Sequence, residues 1–225
     1  MVVTAQDLQL HPKRWSACYI HVYRVLGDTL QLLHRTEVED IPMCMMEFQG
    51  RLVVGIGRCL RMYDLGKRKL LKKCENKAFP AAVARLQASG DRIFVGDMME
   101  SVFFVKYRRQ ENVLVIFADE PATRFVTAMC CVDHSTVAGV DKFGNVFTLR
   151  VSDSANEDVE VGTSTSMMWE QGAMGGAPNK LENLTHYYLG KELEWFMYSS
   201  SCMYNNCAVC VYVCAVVVVL FVCMY

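Results

Sequence analysis

One repeat constrains the fold of this sequence more than any other feature. Arg51-Leu-Val-Val-Gly-Ile-Gly57, Asp91-Arg-Ile-Phe-Val-Gly-Asp97 and Ser135-Thr-Val-Ala-Gly-Val-Asp141 are each a short apolar run with glycine in its second half. Their starts lie 40 and 44 residues apart. A second strand is predicted after each, at 59–64, 101–107 and 145–151, with starts 42 and 44 residues apart. A preceding strand is predicted at 43–48, 83–88 and 126–132, and a fourth closes two of the units at 69–74 and 112–118. An incomplete unit comes first, with 19–25 and 30–36 as its last two strands, and 186–189 opens another after the third. Four short antiparallel strands every ~40–45 residues is the period of a β-propeller blade. A generic antiparallel sandwich is the alternative, but it does not demand a fixed period at three strand positions. The expected fold is therefore all-β: a partial β-propeller of three to four blades, each of four antiparallel strands, followed by an apolar C-terminal tail.

The pattern within the strands agrees. Val102-Phe-Phe-Val105 and Leu114-Val-Ile-Phe-Ala118 are apolar at every position, as strands packed between two neighbouring blades must be. Lys69-Leu-Leu-Lys-Lys73 is more polar and suits an outer edge. Propellers close with about 4–8 blades, and a blade hides its faces only against its neighbours. Three near-complete units therefore imply a piece of a larger propeller, or a partner that supplies the missing blades. The partial propeller is assigned to residues 1–198. The Ser-, Asp-, Glu- and Gly-rich stretch 152–180 breaks the period and reads as a surface loop, and 199–225 is a separate hydrophobic tail rich in Cys and Val.

Composition removes several classes of function. With 52% hydrophobic and 21% charged residues, a 225-residue chain is not a long disordered segment. A net charge of −1 leaves no field over the whole surface to attract nucleic acid or anionic lipid. Of eleven cysteines, six lie between Cys18 and Cys131 and five crowd into the last 24 residues. An odd total without regular spacing argues against a disulfide framework, and a reducing compartment is expected. The first eleven residues have no apolar core of a secretory signal. Residues 207–225 carry no charge and are just long enough for a membrane-spanning helix. The flank at 199–206 has no Lys or Arg to orient an anchor, so sequence joined by a misread exon boundary or an alternative splice form is the competing reading.

Chemical motifs are few. Gly55-Ile-Gly57 begins like a dinucleotide fingerprint but leads into a strand, whereas a phosphate site needs a helix N-terminus. Gly139 and Gly144 have P-loop spacing, but Asn145 stands where Lys is required, so 142–145 reads as a turn. Cys207-Ala-Val-Cys210 has no second pair. None of His11, His21, His34, His134 and His186 has ligand or triad spacing. Asn183-Leu-Thr185 matches a glycosylation acceptor, which matters only in a secreted chain. The basic groups 67–73 and 106–109 read as solvated edges diluted by Asp64, Glu75 and Glu111, ahead of a phosphate-contacting patch. No catalytic residue, metal ligand or cofactor is expected.

Several separated stretches carry a resemblance. Tyr63-Asp-Leu-Gly-Lys-Arg-Lys-Leu-Leu-Lys-Lys-Cys-Glu-Asn-Lys77 resembles a signature of the splicing factor 3B subunit 3 family. Thr36-Glu-Val-Glu-Asp-Ile-Pro42, Phe48-Gln-Gly-Arg51, Phe117-Ala-Asp119 and Ala138-Gly-Val-Asp-Lys-Phe-Gly-Asn145 extend it. Gly96-Asp-Met-Met-Glu-Ser-Val102 suits the wider family, which includes damaged-DNA-binding protein 1 and the largest subunit of the cleavage and polyadenylation specificity factor. The resemblance runs from about Thr4 to Glu192, and the Cys/Val tail departs from it.

The resemblance implies a far longer protein, with three seven-bladed propellers and a helical C-terminal region. This chain is similar to part of the third propeller. It also implies a nuclear, non-enzymatic scaffold of the splicing factor 3b complex, which serves recognition of the intron branch site. The implied partners are the HEAT-repeat subunit 1, the small subunit 5 and a PHD-finger-like zinc protein, with RNA met only inside the complex. The alternatives are a damage-recognition or ubiquitin-ligase adaptor of the sister branch and a tail-anchored protein with a cytosolic β domain. In a propeller the loops between blades and the turns between second and third strands share one face. Here these are 75–80, 119–124, 98–100 and 141–143, and Asn76, Lys77, Glu100, Arg124 and Lys142 are the polar candidates for partner contact.

Overall fold

The computed structural model describes residues 1–157 and 176–190, and the backbone of 208–213 and 216–221. Strand β1 (Val2–Gln6) is followed by a short ribbon of β2 (Gln9–Leu10) and β3 (Lys13–Arg14), then β4 (Ala17–Leu26) and β5 (Thr29–Val38). β1, β4 and β5 form an antiparallel three-stranded sheet in that order. The second sheet is β6 (Pro42–Phe48), β7 (Arg51–Ile56), β8 (Cys59–Asp64) and β9 (Leu71–Asn76), each strand beside the next. The third is β10 (Val83–Ser89), β11 (Arg92–Asp97), β12 (Val102–Arg108) and β13 (Val113–Asp119), and the fourth begins with β14 (Val126–Cys131), β15 (Thr136–Asp141) and β16 (Asn145–Arg150). Two late strands join them. β17 (Asn179–Lys180) adds to β13 in parallel, and β18 (Glu182–Tyr188) adds to β16 antiparallel.

The sheets stand side by side like blades. The first strands β6, β10 and β14 are neighbours, and so are the last strands β9 and β13. Among the described residues, side-chain alternation turns this into three cores. Leu52 and Val54 of β7 face the first sheet with Ile20, Val22 and Val38, while Val53 faces the third with Ile93, Val95 and Phe103. In β12, Phe103 and Val105 point to the second sheet, whereas Val102 and Phe104 point to the fourth, against Phe117, Val137 and Phe147. Successive residues of a strand face opposite ways, so a strand between two neighbours must be apolar at every position. That explains the unbroken apolar runs. The outer strands are released from this demand: β18 is exposed along its whole length, and β9 begins with three exposed residues.

Turn chemistry sets the register. Gln49 and Gly50 both have positive φ (52° and 76°), as a two-residue hairpin turn requires, and the Gly50 N–H donates to Glu47 Oε1 at 2.6 Å. At the opposite end of the third sheet, in the turn from β11 to β12, Asp97 Oδ1 accepts N–H bonds from Met99 (2.8 Å) and Glu100 (3.1 Å). Asp141 Oδ1 does the same for Phe143 (2.8 Å) and Asn145 (3.1 Å). A short acidic side chain closing a turn on its own backbone is the Asx device.

The structure revises four expectations. The strand at 186–189 belongs to β18, which completes the fourth sheet rather than opening another, with His186 opposite Phe147. β18 could not be placed from the repeat because the 152–180 segment interrupts the spacing. The fourth strand expected at 69–74 is β9 at Leu71–Asn76, because Leu70 is drawn into the first core and its N–H bonds Thr36 Oγ1 at 3.0 Å. The first sheet has an additional strand, β1. In the tail, Ala208–Val213 (β19) pairs with Val216–Phe221 (β20) as an antiparallel hairpin, and β20 runs near β1. Valine runs favour strand over helix, and no helix among the described residues is long and apolar enough to cross a membrane.

Candidate interaction surface

Backbone hydrogen bonds gather the inter-sheet loops and the second-to-third strand turns on one face. The Met98 N–H donates to the Ala82 carbonyl at 2.9 Å, the Ser101 N–H to Arg124 at 3.1 Å, and the Lys142 N–H to Phe125 at 2.9 Å. The Ala81 N–H donates to Asp97 Oδ2 at 3.1 Å. Each turn is thus bonded to the loop that enters its own sheet, and Ser101 also to the loop that leaves it. Burial pushes the Asp97 carboxyl upward, and the N–H bonds from Met99, Glu100 and Ala81 oppose that.

The five candidate residues divide by what their side chains touch. Asn76 Nδ2 donates to the Leu114 carbonyl at 2.8 Å, and its Oδ1 accepts from the Ala78 N–H at 2.8 Å. It therefore clips β9 to β13 of the neighbouring sheet. Arg124 pairs with Glu120 at 2.9 Å, with side chains only 9% and 2% exposed, and its guanidinium lies 4.6 Å from the Phe147 ring centroid. Ser101 Oγ donates to the same Glu120 carboxylate. Asn76 and Arg124 are thus committed inside the assembly of sheets. Lys77 is exposed and 3.5 Å from Glu75. Glu100 is half-buried, and burial followed by the Asp97 charge raises its carboxyl. Lys142 is exposed, with Nζ 5.0 Å from the Phe125 ring centroid. Polarity in the sequence does not mark two exposed residues of this face, Met99 (61% exposed) and Phe143 (66%). Each stands two residues after its turn aspartate, so the repeat itself was the signal that marked them as equivalent.

Ion pairs elsewhere tie the sheets together. Arg61 of β8 pairs with Glu39, just beyond β5, and with Glu75 of β9 at 2.6 Å. The Arg61 hydrogen bond brings the Glu39 carboxyl down to about 2. Burial works against Glu75, yet the bonds from Arg61 and Lys72 hold it below its ordinary range. Lys106 pairs with Glu157 and Arg108 with Glu111, so two of the three cations of the 106–109 group meet carboxylates. Among the described residues, no group of His, Cys, Asp or Glu is arranged to hold a metal ion. Burial pushes the Cys59 and Cys74 thiols up to about 11, which makes them packing groups at neutral pH. Cys207 lies outside the described residues.

Side-by-side sheets of three to five strands in a repeating array, bonded through their loops and turns, define a blade-repeat protein. The chain belongs to the family described as CPSF A subunit region, which matches residues 1–214 and so runs past Glu192. Within that family it is a homologue of the splicing factor 3B subunit 3 group. It is 47% identical over 193 residues to spliceosome-associated protein 130 A of Arabidopsis thaliana, covering 84% of this chain and 16% of that protein. It is 44% identical over 194 residues to splicing factor 3B subunit 3 of Danio rerio, covering 85% and 16%. It is 46% identical over 193 residues to pre-mRNA-splicing factor RSE1 of Mycosarcoma maydis, covering 84% and 16%. The chain thus spans about a sixth of the length of these relatives.

Proposed function

We propose that this chain acts in pre-mRNA splicing as a non-enzymatic, protein-interaction part of the splicing factor 3b complex, in the nucleus. The observation that carries this reading is its 44–47% identity to splicing proteins along the blade repeats. The physical basis is the array itself. Rigid sheets hold short turns at fixed spacing, and such turns present side chains to partners without needing to order on binding. The proposed partners are the HEAT-repeat subunit 1, the small subunit 5 and the PHD-finger-like zinc protein, with RNA met only within the complex.

The proposed contact surface is the face of loops and turns. Lys77, Glu100 and Lys142 supply its polar groups, while Asn76 and Arg124 position the loops that carry them. The test is affinity purification of the chain with the HEAT-repeat subunit, using Lys77→Glu with Lys142→Glu and, separately, Glu100→Lys. Recovery reduced several-fold by either change supports the face. Recovery of the complex unchanged by all three substitutions overturns it as the contact, and failure of the unaltered chain to recover any subunit overturns the assignment to the complex.

A further inference from the structure

A second surface lies away from that face, along the rim between β5 and β9. The loop 65–70 from β8 to β9 is pinned to the first sheet at two points. His34 Nε2 donates to the Gly66 carbonyl at 3.0 Å, and the Leu70 N–H donates to Thr36 Oγ1 at 3.0 Å. Between the pins the backbone turns sharply; a Cβ on Gly66 would stand 2.2 Å from the Lys69 carbonyl oxygen. The turn holds Lys67, Arg68 and Lys69 in solvent. Lys72 and Lys73, further along, pair with Glu75 at 3.3 Å and Asp64 at 3.1 Å. Among the described residues, Lys67, Arg68 and Lys69 have no such carboxylate. An open groove beside the loop is lined by Arg35, Glu37, Lys69, Leu71 and Lys72, with Arg61 at its floor already neutralised by Glu39 and Glu75. Positive charge therefore exceeds negative along this rim.

The same rim is apolar. Leu65 is 61% exposed and Leu71 49%. Both border the pinned loop: Leu65 precedes Gly66, and Leu71 follows Leu70 and lines the groove. A nucleic acid backbone is held by cations, with aromatic rings for its bases, and gains little from leucines. Cations interleaved with exposed leucines are complementary to a segment that is acidic and apolar together. We propose that this rim binds an acidic, leucine-bearing segment of a partner protein, with carboxylates meeting Lys67, Arg68, Lys69 and Arg35 and apolar side chains seated on Leu65 and Leu71.

The test is fluorescence anisotropy with the full chain and three labelled probes. They are a synthetic peptide of glutamate and leucine, the same peptide with serine for every leucine, and oligouridylate. The glutamate–leucine peptide is expected to bind about tenfold tighter than its serine counterpart. Combined Lys67→Glu, Arg68→Glu and Lys69→Glu should weaken it about tenfold or more, and Leu65→Ser with Leu71→Ser about fivefold, with unchanged thermal unfolding. If the leucine variant does not fold, the comparison of the two peptides on the unaltered chain decides. Equal binding of the two peptides overturns the proposal, as does absence of binding. Preferred binding of oligouridylate that responds to the charge reversal but not to the leucine changes would make the rim a phosphate-binding surface instead, and also overturns it.

Discussion

The guanidinium of Arg124 lies 4.6 Å from the centre of the Phe147 ring, which joins the loop leaving the third sheet to the core of the fourth. The same guanidinium meets the Glu120 carboxylate, which is almost wholly removed from solvent. Removing one member of a buried pair leaves the other charge without compensation, at a cost of about 3–5 kcal/mol. Arg124→Ala and Glu120→Ala should each fall in that range in urea denaturation. The double variant should cost less than the two added together, because no charge is then stranded.

The Glu39–Arg61 pair predicts an acid-sensitive joint between the first and second sheets. The Glu39 carboxyl falls from 4.5 to about 2 on folding. Between those values the unfolded chain binds the proton and the folded chain does not, so stability is present above about pH 4.5 and is lost as pH falls toward 2. Glu39 is half exposed, so solvent screening makes the effect smaller than a buried pair would give. Glu39→Gln should flatten the slope of stability against pH in this window, read by denaturant midpoints at successive pH values. An unchanged slope would refute the assignment.

Two phenylalanines should behave oppositely. Phe104 is fully buried between the third and fourth sheets, with ring centroids 4.5 Å from Phe94 and 6.2 Å from Phe117. Phe104→Ala should cost about 3–5 kcal/mol. Phe143 points into solvent on the loop face, and Phe143→Ala should change stability by less than about 0.5 kcal/mol. Chemical denaturation of both variants measures the contrast.

Glycine at two turns answers to different constraints. Gly144 has φ +85°, and a Cβ there would stand 2.0 Å from the Gly190 carbonyl oxygen. Gly144→Ala should therefore destabilise by more than about 1 kcal/mol, through both backbone strain and collision. Gly50 has φ +76° but open space around it, so Gly50→Asn should be nearly neutral, since asparagine tolerates this conformation. Equal midpoints for the two variants would contradict the turn geometry.

Buried thiols supply an independent check of the packing. Cys59 and Cys74, with thiols near 11, should resist iodoacetamide at pH 8 while the chain is folded and react in urea. Peptide mass mapping reads both states. Rapid labelling of Cys74 without denaturant would mean that β9 does not pack as described.

Much of the architecture was legible in the residues. The glycine-bearing apolar runs at 51–57, 91–97 and 135–141 became β7, β11 and β15 with little shift. The polar stretch near Lys69 became an outer strand, displaced by two residues because Leu70 found a buried place against the first sheet. Periodicity cannot place β18, because the chain returns to the fourth sheet only after β17 has joined the third. The loop-face residues were legible as positions but not as roles. Asn76 and Arg124 are polar like Lys77 and Lys142, yet the Leu114 carbonyl holds the first inward and the Glu120 carboxylate and Phe147 ring hold the second. The basic stretch 67–73 reads in sequence as a solvated edge diluted by Asp64 and Glu75, whereas among the described residues it is Lys72 and Lys73, beyond Leu70, that meet those carboxylates.

The order of residues alone determined that this chain builds repeated antiparallel sheets, because strand alternation and turn glycines are local properties of a short backbone segment. The assembled sheets decided which faces became the three cores, which sheet the segment after β17 completed, and which charges were left in water. Those outcomes rest on long flexible side chains choosing among partners far apart in sequence, and the partners exist only once the sheets have met.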